Sequence, residues 1–192
     1  MKGNKKGKLI IVSAPSGSGK TSIVRYLLEN LPDLRFSVSA TSRSPRENER
    51  EGLDYYFLPA EEFREKIDRG EFVEWEEVYK DRYYGTLRSE IERIRESGQH
   101  IIFDVDVAGG IRLKKEFGSQ ALSLFIQAPG INELRQRLHK RGTDTAGEIE
   151  TRLNKAVEEL RKAKYFDKIL INDILEKARR EALEICKAFL YK

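Results

Sequence analysis

An apolar run that leads directly into a glycine-rich segment is the feature that most limits what this chain can fold into. Residues 8–13, KLIIVS, predict a short buried strand, and residues 13–22, SAPSGSGKTS, follow at once. Residues 20–30 then repeat apolar side chains with a helical period. A strand, a glycine-rich turn and a helix in succession are the context of a P-loop, in which backbone N–H groups at a helix N-terminus surround phosphate oxygens.

The residues of this turn suit the binding of a nucleotide's phosphates. Gly17 and Gly19 allow a tight backbone path, Lys20 can reach the β and γ phosphates, and Thr21 can offer its hydroxyl to Mg²⁺. Ala14 stands where the strict pattern has glycine, which is tolerable if its φ stays negative. An ordinary turn that caps a helix is the alternative interpretation. The residues expected to contact ATP here are Ala14, Pro15, Ser16, Gly17, Ser18, Gly19, Lys20 and Thr21.

Three more short apolar runs, at residues 100–106, 121–128 and 167–173, are separated by helical patterns. Strands that are apolar throughout and alternate with helices favour a parallel sheet covered on both faces. Two segments break this rhythm: 37–88, with short alternating runs of antiparallel character, and 139–156, which is polar and basic. We therefore expect an α/β fold, with a P-loop parallel sheet core flanked by helices and both segments inserted as flaps.

Composition excludes several classes of function. The net charge is +4, from 36 basic and 32 acidic residues whose signs are interleaved, which argues against a nucleic-acid surface and suits a local pocket for an anion. The single cysteine, Cys186, cannot form an internal disulfide and favours a reducing compartment. No stretch approaches the length of a membrane span. We expect a cytoplasmic protein with no nucleic-acid or membrane partner, and the sequence leaves monomer or homo-oligomer undecided.

The run at residues 100–106 ends in two carboxylates. Asp104 occupies the position of the acid that helps to hold the Mg²⁺ shell beside a P-loop. Asp106 is two residues further on and so lies on the same side of the strand. Asp106 has a second interpretation, because an aspartate at this place also suits the N-terminal cap of the next helix.

The inserted segment carries candidates for a second, phosphate-bearing substrate. Arg43 and Arg46 lie close together and are followed by Tyr55, and Tyr84 comes later in the segment. Arginines bind phosphate with paired donors and tyrosine hydroxyls add directional bonds, so this set suits a monophosphate. On composition alone, a solvated surface hairpin with scattered charges explains the same residues.

Over nearly its whole length the chain resembles the guanylate kinase family, in motifs that keep the family's order and spacing. They are APSGSGKTS, FSVSATSRSPR, GLDYYF, GEFVEW, YYGT, FDVD, RLHKRGTDT and ILIND. The resemblance implies ATP-dependent phosphorylation of GMP, and of dGMP, with Mg²⁺ as the cofactor. It also implies a core formed by 1–36, 89–136 and 157–192, a mixed α/β GMP-binding domain at 37–88 and a helical lid at 137–156. Ala108 departs from the pattern, which often has glutamine there, and leaves the two aspartates in register.

The resemblance further implies a role for each matched residue. The catalytic residues would be Lys20, Arg43, Arg141 and Arg152. The residues that face guanine would be Ser39, Glu74, Thr86 and Asp106, and those that hold the GMP phosphate would be Arg43, Arg46, Tyr55 and Tyr84. Near adenine would lie Arg137 and Asn172. The metal would be held by Thr21 and, through water, by Asp104.

These residue types suit the implied chemistry. Guanine presents N1–H and its exocyclic amine side by side, and an ionised Glu74 is acceptor-only and can take both. The attacking oxygen of GMP is already anionic, so positioning and charge neutralisation are needed rather than a general base. Two other functions stay open: a P-loop kinase that acts on another small phosphate ester, and a non-catalytic guanylate-kinase-like module that binds phosphopeptides.

Overall fold

The computed structural model describes residues 6–142 and 145–192, and within these it contains nine strands and seven α-helices. The strands are β1 (Leu9–Ser13), β2 (Leu34–Phe36), β3 (Ala40–Thr41), β4 (Tyr56–Phe57), β5 (Phe72–Tyr79), β6 (Arg82–Leu87), β7 (His100–Asp104), β8 (Ala121–Gln127) and β9 (Lys168–Ile171). The helices are α1 (Lys20–Asn30), α2 (Ala60–Asp68), α3 (Arg88–Glu96), α4 (Val107–Phe117), α5 (Ile131–Arg141), α6 (Ala146–Arg161) and α7 (Leu175–Leu190).

A five-stranded sheet in the order β2-β7-β1-β8-β9 carries the glycine-rich turn at the end of its central strand. β1 runs parallel to β8, with Leu9 opposite Ala121, and β8 runs parallel to β9, with Leu124 opposite Lys168. All five residues of β1 are buried, which explains why its sequence shows no alternation of apolar and polar residues.

Helices cover both faces of this sheet. Leu124 packs in one cluster with Ile10 and with apolar residues of α1 and α7. The next residue along β8, Phe125, points to the opposite face and packs against Val107 and Phe166. The predicted α/β fold with a parallel core flanked by helices is thereby confirmed.

A second, four-stranded sheet has the order β4-β3-β6-β5. β5 and β6 form an antiparallel hairpin, β6 also pairs antiparallel with β3, and β3 runs parallel to β4. Helix α2 packs on this sheet through Phe63, whose ring stacks on Phe72 at 4.2 Å and on Tyr83 at 5.3 Å between centroids. In the sequence, residues 36–40 form one alternating run of the inserted segment. In the structure, this run is divided: Phe36 ends β2 in the first sheet, and Ala40 begins β3 in the second.

The chain divides into two compact units. The core unit contains Lys8–Leu34 and Ile102–Lys192, and the insert unit contains Arg35–Ile101 with the described residues before Lys8. The glycine-rich turn lies in the core unit, and the four-stranded sheet lies in the insert unit. Within the described residues, no helix has the length and apolar character that crossing a membrane requires.

Candidate functional site

The glycine-rich turn of the core unit has the backbone of a phosphate cradle. Gly17 and Gly19 have φ of 87° and 91°, in the left-handed region that favours glycine, and the N–H of Ser18 donates to the carbonyl of Pro15 at 3.1 Å. Ala14 is not among the described residues with positive φ, so it meets the condition for alanine at this position. Helix α1 begins at Lys20, which places its N-terminus at the turn.

A cavity of about 840 Å³ lies at this cradle within the core unit. Its lining contains residues 14–22 and, from other elements, Asp106, Arg137, Leu138, Arg152, Lys155 and Glu159. The structure therefore brings the predicted cradle residues together with Asp106, Arg137 and Arg152. Lys155 and Glu159 were not anticipated from the sequence. Burial raises the pKa of the Glu159 carboxyl, but nothing in the helical pattern around it distinguished it from a solvated acid.

Lys20 points toward the end of β7. Its ammonium group forms an ion pair with Asp104 and donates a hydrogen bond to the carbonyl of Val105 at 2.9 Å. The side chains of Lys20 and Asp104 keep 22% and 19% of their surface exposed, so neither is fully buried. The cradle lysine and the predicted metal-supporting carboxylate are thus direct neighbours.

Asn172 contacts the backbone of the cradle. Its side-chain amide donates to the carbonyl of Ser18 at 2.8 Å, and the residue is 3% exposed. Arg137 donates to the backbone carbonyl of Asn172 at 2.8 Å, and Arg152 donates to the hydroxyl of Ser16 at 2.9 Å. Asn172 and Arg152 thus bond directly to the turn, and Arg137 bonds to Asn172. These contacts join positions up to 154 residues apart, which local sequence patterns do not reveal.

Asp106 forms the N-terminal cap of α4. One of its carboxylate oxygens accepts the N–H of Gly109 at 2.6 Å, as the second interpretation of this residue required. Asp106 also lines the cavity. The side chain of the predicted catalytic residue Arg141 lies outside the described part of the structure.

In the insert unit, Arg43 lies within a dense set of contacts. Its Nε donates to the hydroxyl of Tyr84 at 3.2 Å, and its guanidinium lies over the Tyr55 ring at 4.9 Å from the centroid. The terminal nitrogens of Arg43 bind the carboxylate of Glu49, a contact that sequence reasoning missed. This carboxylate raises the pKa of Arg43 above its ordinary value. Arg46, the second predicted arginine, has an exposed side chain.

The predicted base-reading residues of the insert unit include one hydrogen-bonded pair. Thr86, which is 1% exposed, donates its hydroxyl to a carboxylate oxygen of Glu74 at 2.7 Å across the β5–β6 hairpin. In this structure the hydroxyl hydrogen of Thr86 is thus directed to Glu74. The third residue, Ser39, is partly exposed, and its backbone carbonyl accepts the N–H of Tyr56 at 2.9 Å.

The described residues contain no group of three or more histidine, cysteine, aspartate or glutamate side chains that could hold a metal ion. The two groups predicted to hold a metal are the hydroxyl of Thr21, which is exposed, and the carboxylate of Asp104. Oxygen donors of this kind suit Mg²⁺, which commonly binds one or two protein groups together with substrate phosphates. The donor set therefore fits a magnesium ion that arrives with a nucleotide.

The parallel sheet, the glycine-rich turn after its central strand and the lysine at the start of α1 define a P-loop protein. The family model for guanylate kinase matches residues 6–188. The chain is 55% identical to the guanylate kinase of Bacteroides thetaiotaomicron over 97% of its length and 91% of that protein, and 56% identical to that of Bacteroides fragilis over 95% and 90%. Its fold matches the crystal structure of guanylate kinase from Anaplasma phagocytophilum with a TM-score of 0.74, at 28% identity, covering 98% of this chain and 88% of the other. The chain belongs to the guanylate kinase family.

Proposed function

We propose that this protein transfers the γ-phosphoryl group of ATP to GMP, and to dGMP, and releases ADP with GDP or dGDP. The observation that supports it best is the coexistence of an intact cradle with the guanine- and phosphate-directed residues of the insert unit. The cradle keeps Lys20 at the N-terminus of α1. The insert unit keeps Arg43 beside Tyr84 and holds Glu74 through Thr86. Relatives named guanylate kinase match at 55% identity over nearly the whole chain.

The chemistry follows from charge. An oxygen of the GMP phosphate forms a bond to the γ-phosphorus of ATP, and the bond from that phosphorus to the β–γ bridging oxygen breaks, with both electrons leaving on ADP. The nucleophile is already anionic, so no side chain has to remove a proton. Lys20, Arg43, Arg141 and Arg152 would neutralise the phosphates, as the family resemblance implies. Mg²⁺, held by Thr21 and through water by Asp104, would neutralise charge on the ATP phosphates.

Selection of guanine would rest on Glu74. Its carboxylate accepts a hydrogen bond from Thr86 and, as an acceptor-only group when ionised, can accept N1–H and the exocyclic amine of guanine. Adenine offers an acceptor at N1 and no amine at C2, so it would leave this carboxylate facing a lone pair. Sites that depend on such hydrogen bonds reject the wrong partner by roughly 10⁴-fold.

In the same proposal, residues 37–88 form the GMP-binding domain and 137–156 form the lid. Closure of such segments excludes water, which would otherwise hydrolyse ATP. We also propose that the reaction takes place in the cytoplasm, since the one cysteine, Cys186, is buried and unpaired.

A coupled assay of ADP release, with ATP and a panel of nucleoside monophosphates, tests the proposal. We expect rapid turnover with GMP and dGMP and weak turnover with AMP, CMP and UMP. Equal rates with AMP and GMP would refute the role of Glu74 as the base reader. Nucleotide binding without turnover of any monophosphate would favour a non-catalytic module, and a preference for a different phosphate ester would identify a kinase of another specificity.

A further inference from the structure

Glu49 contacts both arginines that the family resemblance assigns to the GMP phosphate. One of its carboxylate oxygens accepts Nη1 of Arg43 at 2.5 Å, and the other accepts Nη2 of Arg43 at 2.7 Å. The first oxygen also accepts the backbone N–H of Arg46 at 2.9 Å. A single carboxylate in the segment between β3 and β4 therefore ties the guanidinium of one arginine to the backbone of the other.

The hydrogen bonds of Arg43 show which edge of its guanidinium is available. A guanidinium has five N–H donors in a rigid plane. Nη1 uses its two on Glu49 and the carbonyl of Ser44, Nη2 uses one on Glu49, and Nε uses its only one on the Tyr84 hydroxyl. The donor of Nη2 left over has no partner among the described residues, and it lies on the same edge as Nε–H. Glu49 therefore occupies the terminal edge, and the lateral edge is directed to Tyr84.

Packing fixes the guanidinium in this orientation. The plane of Arg43 lies over the rings of Tyr55 and Phe57, at 4.9 and 5.8 Å from their centroids. The side chains of Arg43 and Glu49 are only 12% and 18% exposed. Hydrogen bonds from Arg43 and from the Arg46 backbone lower the pKa of Glu49 to about 2, so its carboxylate is ionised at any pH at which the protein is assayed.

We propose that Glu49 is a positioning residue for the phosphate of the acceptor nucleotide. Its carboxylate holds the terminal edge of Arg43 and the backbone of Arg46, so that the lateral edge of Arg43 and the hydroxyl of Tyr84 receive the phosphate oxygens together. A hydrogen bond from a charged guanidinium to phosphate is strong and directional, which is why the orientation of Arg43 affects affinity. This role rests on the proposed function, because it assumes that Arg43 binds the phosphate of GMP.

An alternative role for Glu49, as a competitor of the phosphate, predicts the opposite change in GMP affinity. If the Glu49 carboxylate were an internal substitute for phosphate, the ligand would have to displace it, and its removal would tighten the binding of GMP. Glu49 occupies only the terminal edge of Arg43. This argues against a substitute for phosphate, because the lateral edge stays directed to Tyr84 while Glu49 is bound. The sign of the change in GMP affinity therefore decides between the two roles.

The test is Glu49→Gln, which keeps the shape of the side chain and removes its charge. The matched control is Glu47→Gln. Glu47 lies two residues before Glu49 and is exposed, so this substitution removes the same charge from a side chain on the surface. We measure kcat and KM for GMP and for ATP, and by calorimetry the Kd of GMP and of guanosine, which lacks the phosphate. For Glu49→Gln we expect KM and Kd for GMP to rise on the order of tenfold, as the loss of a charged hydrogen bond implies. We expect KM for ATP and Kd for guanosine to stay within about twofold of wild type, as in the control.

A double-mutant cycle with Arg43→Ala shows whether Glu49 acts through Arg43. In that background, adding Glu49→Gln should change the Kd of GMP far less than it does in the wild type, because only the contact with the Arg46 backbone is left to weaken. A lower Kd for GMP in Glu49→Gln, an unchanged one, or equal losses for GMP and guanosine would each overturn the proposal. The binding comparison needs no turnover, so a wild-type protein that binds GMP but does not phosphorylate it refutes the proposed function and still decides the role of Glu49. Absence of GMP binding to the wild type refutes both.

Discussion

At the scale of single residues, the cradle depends on the lack of a side chain at Gly19. Its φ of 91° lies in the left-handed region, where an L-residue loses roughly 1–2 kcal/mol. A Cβ at this position would stand 2.3 Å from the side-chain nitrogen of Asn172. That amide is buried and bonded to the carbonyl of Ser18, so it cannot move aside without breaking the contact that braces the turn.

We therefore predict that Gly19→Ala lowers the free energy of unfolding by about 2–3 kcal/mol, from backbone strain and a broken buried hydrogen bond. It should also weaken ATP binding severely, because the N–H groups of the cradle shift. Thermal unfolding and calorimetric titration with ATP measure the two effects. Gly147→Ala is the control: a Cβ there meets nothing within 4 Å inside α6, and Ala should stabilise the helix by about 0.5–1 kcal/mol. An ATP affinity of Gly19→Ala equal to that of wild type would show that the contact with Asn172 does not shape the cradle.

At the scale of elements, α6 begins with a complete capping box. The hydroxyl of Thr145 accepts the N–H of Glu148 at 3.4 Å, and the carboxylate of Glu148 accepts the N–H of Thr145 at 2.7 Å. Two backbone donors that the helix cannot satisfy internally are thus satisfied by side chains. These bonds lower the pKa of Glu148, so the helix start is stabilised above the ordinary carboxyl range and this contribution is lost as the pH falls below it.

Thr145→Ala is predicted to lower the free energy of unfolding by about 1 kcal/mol, the usual cost of losing a cap. For a chain of this size that corresponds to a fall of about 2–4 °C in Tm. Thr151→Ala is the control on the same helix, because Thr151 only bonds back to the carbonyl of Gly147 on an exposed face. Differential scanning calorimetry of both variants measures the effect. A Tm of Thr145→Ala equal to that of the wild type would mean that the capping box contributes nothing to the stability of α6.

The elements were predictable wherever one local rule dominated. Residues 20–30 show a helical period after a glycine-rich turn and before Pro32, and α1 has those bounds. The strand β2 was not predicted, because only Leu34 of its three residues is buried and no alternating pattern results. β2 forms because it pairs with a neighbouring strand of the sheet, and its own three residues do not predict that pairing.

At the scale of the whole molecule, part of the candidate site was predictable from the sequence and part was not. The cradle was predictable from one continuous stretch, since its residues are adjacent in sequence. The contact of Asn172 with Ser18 was not, because it joins positions 154 residues apart. Glu49 was missed for another reason: it is one acid in the charge-rich segment SPRENERE, and only the structure distinguishes it from its exposed neighbours.

In the core unit, one carboxylate just before β9 contacts both β8 and α4. Asp167, just before β9, accepts the N–H and the hydroxyl of Ser123 in β8 at 2.8 and 2.9 Å, and Lys114 of α4 lies 2.8 Å away. Burial acts to raise the pKa of Asp167, but the hydrogen bonds from Lys114 and Ser123 outweigh it and lower the pKa below its ordinary value of 3.8. A lowered pKa in the folded state means stability that is present above the unfolded pKa and lost as the pH falls through the folded one.

We predict that Asp167→Asn lowers the free energy of unfolding at pH 7 by about 1–2 kcal/mol, since the neutral amide no longer carries the charge that faces Lys114 and the site is a third exposed. The difference from wild type should narrow as the pH falls from about 4, the ordinary pKa of an unfolded aspartate, through the lower pKa of folded Asp167, where the wild-type carboxylate also loses its charge. Urea unfolding at pH 7, 5, 4 and 3 measures it. Asp33→Asn, on an exposed residue, should give no difference at any of these pH values. A gap between Asp167→Asn and wild type that stays constant from pH 7 to pH 3 would show that the charge of Asp167 does not stabilise the fold.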